Sequence, residues 1–223
     1  MKITKLQLKK ELNNAKSRKH SIIFLGMSGS GKTYWSKKLA GKFRLSHVEF
    51  DELIGKSMEL SKLIEKYPGK DSAEKLGNYF GKPWNKEYKS KEDKFLSIEK
   101  KILSKKYPNG TILDLTGSAI YHPRQIERII KTGLAVYLET SKAAQKEMFR
   151  IFIKNPKPIC WKNIYSKKQN ESNEESLKRC YPVLLRYRAK LYESYADIKI
   201  PFKVHKKLKK PEEFIEEICR QLS

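Results

Sequence analysis

The residues with the clearest chemical meaning form a glycine-rich segment near the N-terminus. Residues 26–33 match the pattern G-x-x-x-x-G-K-[ST] in full. The glycines permit backbone conformations that larger residues avoid, so successive N–H groups can point at phosphate oxygens. The lysine is long enough to reach the β- and γ-phosphates of a nucleotide, and the threonine hydroxyl suits Mg²⁺. We therefore predict a site for the phosphates of ATP·Mg²⁺, formed by Gly26, Met27, Ser28, Gly29, Ser30, Gly31, Lys32 and Thr33.

Two carboxylates separated by one residue follow the second apolar segment. Glu49 and Asp51 flank Phe50, and we predict a strand over His47–Phe50 that ends at Asp51. Successive side chains of a strand alternate between its faces, so both carboxylates are predicted on the same face. The carboxyl ends of parallel strands form the ligand-binding edge of an open sheet. One carboxylate would then hold Mg²⁺ through water, and the other would orient or deprotonate an acceptor hydroxyl.

A third carboxylate, Asp114, lies inside the apolar run Thr111–Leu115. An isolated carboxylate is costly to bury, and a metal ion or a hydroxyl such as that of Thr33 would offset this cost. We therefore predict that Asp114 and Thr33 belong to a Mg²⁺ site. The small residues that follow, among them Gly117 and Ser118, predict a turn at the same edge of the sheet.

Short apolar runs alternate with helical patterns, which predicts an α/β fold with five parallel strands and helices on both faces. Ser21–Leu25 precedes the glycine-rich segment and a helix over Thr33–Lys42 follows it, which is the context that a phosphate-binding loop requires. Ser172 and Glu175 form a pair typical of a helix N-terminus, and we predict a helix from there to about Tyr195. The remaining predicted elements are strands over Thr111–Leu115, Leu134–Leu138 and Asp197–Ile200, and helices over His122–Lys131 (stopped by Gly133), Lys142–Ile153 and Glu212–Leu222.

For the domain organisation, we predict a single P-loop NTPase domain over residues 21–223, preceded by a basic, lysine-rich helical extension over residues 1–20. Residues 52–106 are predicted as a mostly helical insert on the acceptor side, broken by proline and glycine at residues 67–69 and 77–83. Residues 154–171 contain prolines and many polar side chains, and we predict an irregular, mobile lid there.

The charge of the chain indicates an affinity for anions. The sequence has 49 basic and 25 acidic residues, a formal net charge of +24. Such a surface attracts both ATP and nucleic acids. The basic residues are mostly lysines spread along the chain, whereas nucleic-acid readers concentrate arginine and lysine in one stripe. A nucleic-acid partner is therefore left open but is not favoured.

The expected location follows from what the chain lacks and from its cysteines. The sequence contains no apolar run near the ~20 residues of a membrane span, and residues 1–20 lack the apolar core of a secretory signal. Its three cysteines are widely spaced and match no zinc motif, which favours a reducing compartment. We expect a cytoplasmic monomer without a membrane partner.

From about Ser21 to Ile200, the order of these motifs resembles the shikimate kinase family. The family has a phosphate-binding loop like residues 26–33, followed by two acids separated by one residue. The resemblance implies that Glu49 lies near Mg²⁺ and that Asp51 contacts the acceptor hydroxyl. It further implies an acceptor-lining turn, an arginine packed on adenine, a lid residue and an acceptor-site arginine, at Gly117 and Ser118, Arg150, Lys157, and Arg188 respectively.

Several positions depart from the pattern of that family. Leu96 stands where the family has an arginine that reads the acceptor carboxylate, and no arginine occurs between Arg44 and Arg124. Lys157 stands at the lid arginine, and Thr116 replaces a glycine of the acceptor turn. Lysine cannot supply the bidentate fork of an arginine. The phosphoryl-transfer residues are thus kept, while the acceptor-reading residues differ.

The leading hypothesis is an ATP-dependent phosphotransferase that phosphorylates a hydroxyl of a small molecule, with Lys32 and Asp51 as its catalytic residues. Shikimate is the best single named acceptor. A polynucleotide 5′-hydroxyl kinase would use the same loop and carboxylate, and its activity would depend steeply on salt. A nucleotide-binding regulator without catalysis is the third hypothesis, and the joint presence of Lys32, Thr33, Asp51 and Asp114 argues against it.

Overall fold

Five parallel strands form the sheet in a computed structural model of the chain, which describes residues 3–154 and 158–222. Each strand is only three to six residues long, and all but β2 are largely buried. The strands are β1 (Ser21–Leu25), β2 (Ser46–Glu49), β3 (Thr111–Asp114), β4 (Gly133–Leu138) and β5 (Ile198–Ile200). They lie in the order β2-β3-β1-β4-β5, so β1 and its following loop occupy the centre of the sheet.

Helices follow most of the strands, as the alternating pattern predicts. Ser172 and Glu175 exchange the two hydrogen bonds of a capping box at the start of the long helix. The helices are α1 (Lys5–Asn13), α2 (Lys32–Phe43), α3 (Phe50–Gly55), α4 (Met58–Ile64), α5 (Ser72–Phe80), α6 (Tyr88–Leu103), α7 (Pro123–Ile130), α8 (Lys142–Lys154), α9 (Asn173–Tyr195), α10 (Phe202–His205) and α11 (Pro211–Gln221). The prediction of a parallel five-stranded sheet with helices on both faces is confirmed.

The two faces of the sheet have separate apolar cores. On one face, Phe24 of β1 packs against Phe214 of α11, and the ring of Trp35 of α2 stacks on Phe214 with 4.5 Å between centroids. On the other face, Tyr137 of β4 stacks on Tyr192 of α9 at 5.3 Å. Burying large aromatic side chains of this kind contributes strongly to stability. These cores fix the carboxyl edge of the sheet, where the predicted site residues lie.

The chain divides into two compact units. The sheet unit consists of the described residues within 1–51, 103–141 and 191–223, and the helical unit of those within 52–102 and 142–190. The described residues 158–171 of the helical unit are irregular, as predicted. The predicted domain limits and the mobility of the lid stay predictions.

Helix α1 lies in the sheet unit and contributes to its core. Leu8 and Leu12 of this helix belong to the same buried cluster as the apolar side chains of α2 and α11. The guanidinium of Arg18 donates to the backbone carbonyls of Phe43 and Arg44, at the C-terminal end of α2. The basic segment at the N-terminus is therefore packed against the helix that follows the glycine-rich loop.

Three predicted details of the elements are wrong. The second strand ends at Glu49 and helix α3 begins at Phe50, because the buried ring of Phe50 turns inward against Tyr107. Gly77 lies inside helix α5, and the break comes only at Gly81, which has a positive φ of 68°. Gly133 is the first residue of β4 and does not cap α7; a Cβ at this position would lie 1.8 Å from the Ser21 carbonyl oxygen.

Candidate functional site

The glycine-rich loop between β1 and α2 has a backbone that only glycine adopts readily. Gly26, Gly29 and Gly31 have φ values of 145°, 77° and 101°. A Cβ on Gly26 would lie 2.8 Å from both the Leu138 carbonyl oxygen and the Ser30 hydroxyl. Positive φ and close backbone approach are the two conditions that favour glycine. The loop therefore has the tight backbone path that the sequence pattern predicts.

Helix α2 begins directly after this loop, at Lys32, and its N-terminus is left for an external anion. Within the described chain, no side chain caps this helix, and its first turn contains no acidic residue. The Ncap residue is Gly31, in the left-handed region. An N-terminus without such partners presents N–H groups and the positive end of the helix dipole. This arrangement suits phosphate oxygens.

Lys32 places a positive charge at the loop. Its side chain is only 5% exposed, and its ammonium donates to the Met27 carbonyl oxygen at 3.2 Å. A lysine is rarely buried unless a partner compensates its charge. The ammonium is thus held against the loop backbone, where a bound phosphate would supply the missing negative charge.

Asp114, the last residue of β3, lies beside the start of α2. Its Oδ2 accepts a hydrogen bond of 2.6 Å from the Thr33 hydroxyl. Its neighbours across the sheet are Phe24 of β1 and Glu49 of β2. Burial raises the pKa of Asp114, the Lys32 charge and the Thr33 hydrogen bond oppose this rise, and Glu49 adds to it. The structure therefore brings Lys32, Thr33, Glu49 and Asp114 together.

These oxygen ligands fit a magnesium ion. Mg²⁺ is usually held by one or two carboxylates together with water and substrate phosphates, and seldom by a complete cage of protein ligands. In agreement, the described residues contain no cluster of three or more His, Cys, Asp or Glu side chains arranged for a metal. The buried carboxylate of Asp114, whose pKa is raised, would be stabilised by a nearby cation. Thr33 and Asp114 would hold the ion, with Glu49 beside them.

Lys37 is a neighbour of this cluster that the sequence analysis missed. Its ammonium lies 2.9 Å from Oε2 of Glu49. The signal was present, since residues four apart share a helix face and Lys37 is four residues after Thr33. The predicted common face of Glu49 and Asp51 is not found, because Asp51 is in helix α3, where it is exposed. Period-two alternation does not extend into a helix.

The turn after β3 is held by a tyrosine from the end of α9. The Tyr192 hydroxyl donates to the Gly117 carbonyl oxygen at 2.6 Å, and Tyr192 is fully buried. The Thr116 hydroxyl accepts a hydrogen bond of 3.1 Å from the Ala119 N–H. Ser118 is 8% exposed. The shape of the predicted acceptor turn therefore depends on a distant residue whose role the sequence analysis did not identify.

In the helical unit, helices α6 and α9 fasten the segment around Trp161. Arg188 of α9 is 9% exposed and donates to the Cys160 carbonyl oxygen at 2.8 Å. The carboxylate of Glu92 on α6 accepts hydrogen bonds from the backbone N–H groups of Trp161 and Lys162. Burial raises the pKa of Glu92, and these two backbone hydrogen bonds oppose the rise. The structure thus gives Arg188 a structural contact.

The other predicted residues of this unit lie in varied surroundings. Arg150 is exposed on α8 and forms an ion pair of 3.0 Å with Glu147. Lys157 lies outside the described residues. Leu96 is 6% exposed and contributes to the packing of α6. The roles proposed for Arg150, Lys157 and Arg188 stay predictions.

Two further comparisons bear on the whole molecule. Within the described residues, no helix has both the length and the apolar character needed to cross a membrane. No protein-family model matches the chain, and no curated protein is similar to it in sequence.

Solved structures of shikimate kinases share the fold of the chain. The enzyme from Acinetobacter baumannii, in complex with shikimate, has a TM-score of 0.51 and 19% identity over 90% of this chain and 91% of the other. The enzyme from Bacteroides thetaiotaomicron has a TM-score of 0.55 and 17% identity, with coverages of 90% and 97%. The enzyme from Aquifex aeolicus vf5 has a TM-score of 0.51 and 20% identity, with coverages of 90% and 95%. At these identities the similarity shows a common α/β fold.

Proposed function

We propose that this protein is an ATP-dependent phosphotransferase that phosphorylates a hydroxyl of a small molecule. The observation that carries the proposal is the hydrogen bond between Thr33 and the buried Asp114, next to a glycine-rich loop that ends in an uncapped helix. The loop and Lys32 would bind the triphosphate, and Thr33 and Asp114 would hold Mg²⁺. A protein that only bound a nucleotide would not require a buried carboxylate at a cost in stability.

Each residue of the cluster has a distinct part in the proposed reaction. Lys32 would neutralise charge on the β- and γ-oxygens of ATP as the phosphoryl group moves. Glu49 would act through a water molecule, with Lys37 fixing its carboxylate. Asp51 would accept a hydrogen bond from the acceptor hydroxyl and align it with the γ-phosphorus. Mg²⁺, when bound, would offset the negative charge of the phosphates.

For the acceptor we propose a small polyol or hydroxy acid of the same general kind as shikimate. The solved neighbours with this fold are shikimate kinases, one of them in complex with shikimate. The departure at Leu96, which is buried here, argues that the acceptor is read by other residues. Gly117, Ser118 and Arg188 are the candidates for this role.

The test is an assay of ADP release from ATP·Mg²⁺, with and without shikimate and a panel of other polyols. The variant Asp51→Ala should lose acceptor-stimulated turnover, and Lys32→Ala should lose it together with nucleotide binding. Lys207→Ala, which removes an exposed lysine of the sheet unit, should behave as the parent chain. The proposal is sharpened to shikimate if shikimate stimulates turnover.

Other outcomes would redirect or end the proposal. Stimulation only by a 5′-hydroxyl oligonucleotide, with steep loss at higher salt, would indicate a polynucleotide kinase. Tight ATP binding without turnover for any acceptor would indicate a nucleotide-binding regulator. If Lys32→Ala binds ATP as well as the parent chain does, residues 26–33 are not the nucleotide site.

A further inference from the structure

Helices α4, α5 and α6 of the helical unit enclose a cavity of about 500 Å³. It is lined by side chains of one chemical character, namely the lysines Lys62, Lys66, Lys91 and Lys94 with the tyrosines Tyr67 and Tyr79. Its volume falls within the range of roughly 300–1,000 Å³ that is usual for small-ligand sites. Every lining residue belongs to the helical unit.

The buried tyrosine in the wall of this cavity has an unused hydroxyl. Tyr79 is only 4% exposed, and its hydroxyl has no hydrogen-bond partner among the described residues. A buried polar group without a partner is costly, and native proteins contain few of them. Burial raises the pKa of Tyr79 to about 12, with further contributions from Tyr67 and Glu87. At neutral pH the group is therefore an O–H donor that lacks an acceptor.

Lys91 lies against the same tyrosine. Its ammonium is 5.6 Å from the ring centroid of Tyr67 and 5.5 Å from that of Tyr79, and these rings are perpendicular to each other. Contacts of this length between a cation and aromatic faces hold the ammonium in place. Glu87 lies 3.2 Å from Lys91, but its side chain is 74% exposed. Lys91 is thus positioned by the rings at the cavity wall.

The charge of the lining is unbalanced. Four lysines against the single glutamate leave a net charge of +3. Like charges gathered in one concave site repel each other unless an anion compensates them. Ammonium groups together with one neutral O–H donor are a donor set that suits the oxygens of a phosphate dianion.

We propose that this cavity binds a small phosphate ester, at a site separate from the glycine-rich loop. The ester would accept a hydrogen bond from Tyr79 and charge-assisted hydrogen bonds from Lys91 and the neighbouring lysines. The half-buried ring of Tyr67 would cover its uncharged part. The inference does not depend on the phosphotransferase activity proposed above, because none of its residues belongs to that site.

The test is calorimetric titration of the full chain with ribose 5-phosphate, in the presence of saturating ADP to fill the loop. Ribose is the uncharged control and should not bind. Tyr79→Phe and Lys91→Met should each weaken the binding about tenfold, as expected for one hydrogen bond to a charged group. Lys89→Met removes an exposed lysine of the same helix that does not line the cavity, and it should change nothing.

The controls separate this proposal from its alternatives. Tyr79→Phe should not lower the melting temperature, because the hydroxyl that it removes has no partner in the described chain. The proposal is overturned if ribose 5-phosphate does not bind, or if Tyr79→Phe and Lys91→Met bind it as well as the parent chain does. Loss of binding in Lys32→Ala would place the phosphate in the loop and also overturn it. Tighter, variant-sensitive binding of a 5′-phosphorylated oligonucleotide would overturn the small-molecule class and indicate a nucleic-acid strand.

Discussion

Each unit of the molecule buries a carboxylate with a raised pKa, and the two carboxylates are satisfied in different ways. Asp114 in the sheet unit accepts a side-chain hydrogen bond from Thr33 and lies near the charge of Lys32. Glu92 in the helical unit accepts backbone hydrogen bonds from Trp161 and Lys162. Burial is the largest cause of the raised pKa in both.

The partners of each carboxylate indicate its purpose. Backbone N–H groups are fixed donors, so the Glu92 carboxylate fastens a chain segment and has little freedom for other chemistry. A hydroxyl and a lysine can both turn toward a ligand, so the Asp114 carboxylate can exchange its partner for a cation. We infer that burial of a carboxylate marks a functional site only where its partners are able to move.

The largest effect that we predict is that of Asp114→Asn on turnover. The amide keeps the size of the side chain and a hydrogen-bond acceptor for Thr33, but it loses the charge that would hold Mg²⁺. We expect Mg²⁺-dependent ATP turnover to fall about a hundredfold, a loss typical of one electrostatic contact at a reacting group. The measurement is the turnover rate as a function of Mg²⁺ concentration.

The same variant should separate function from stability. Because a buried charge is removed, the melting temperature without nucleotide should stay the same or rise. A variant that kept full turnover but melted several degrees lower would show that Asp114 has the structural role of Glu92.

The next largest effect should come from the carboxylate of the helical unit. Glu92→Ala leaves the buried N–H of Trp161 without its acceptor, and we expect a loss of about 1–3 kcal/mol in the free energy of unfolding. Glu92→Gln keeps an acceptor oxygen and should recover most of this loss. The measurement is urea unfolding, and the Mg²⁺ dependence of turnover should be unaltered in both variants. If Glu92→Gln is as unstable as Glu92→Ala, the charge of Glu92 matters more than its hydrogen bonds.

A smaller effect concerns pH. The pKa of Asp114 lies above its ordinary value of 3.8 in the folded chain, so the native state binds this proton more tightly than the unfolded state does. Its contribution to the free energy of unfolding therefore decreases as the pH rises from 3.8 to the raised pKa, and is constant above that. Acids with lowered pKa values, such as Glu11, act in the opposite direction. The measurement is the difference between the parent chain and Asp114→Asn from pH 3.5 upward, and a difference that grew with pH would contradict this sign.

Much of the sheet unit could be predicted from sequence because its signals are local. The glycine pattern requires a particular backbone at residues 26–33, and short apolar runs on either side predict β1 and α2. The place of Asp114 follows from an acid inside an apolar strand. The failure at Asp51 is also local in origin: Phe50 is buried against Tyr107, a residue 57 positions away, and no pattern around residue 50 shows this.

The helical unit was less predictable because its contacts are between distant side chains. Its helices are found in the sequence, but neither the hydrogen bond from Arg188 to Cys160 nor that from Trp161 to Glu92 has a signal in spacing. The lysine-lined cavity arises only when α4, α5 and α6 pack together. A net charge of +24 spread along the chain had indicated a solvated surface, and it concealed this cluster.

The smallest effect that we predict tests how far the acceptor turn depends on α9. Tyr192→Phe removes the hydroxyl that donates to the Gly117 carbonyl oxygen and leaves the stacking on Tyr137 in place. Losing one neutral hydrogen bond should lower the free energy of unfolding by about 1 kcal/mol. Tyr34→Phe is the matched control, since Tyr34 is 51% exposed on α2, and its stability should not change. Because Gly117 is predicted to line the acceptor site, Tyr192→Phe should also raise the KM for the acceptor while the KM for ATP is unchanged; an equal rise in both would mean that Tyr192 supports the sheet as a whole and has no particular role at the turn.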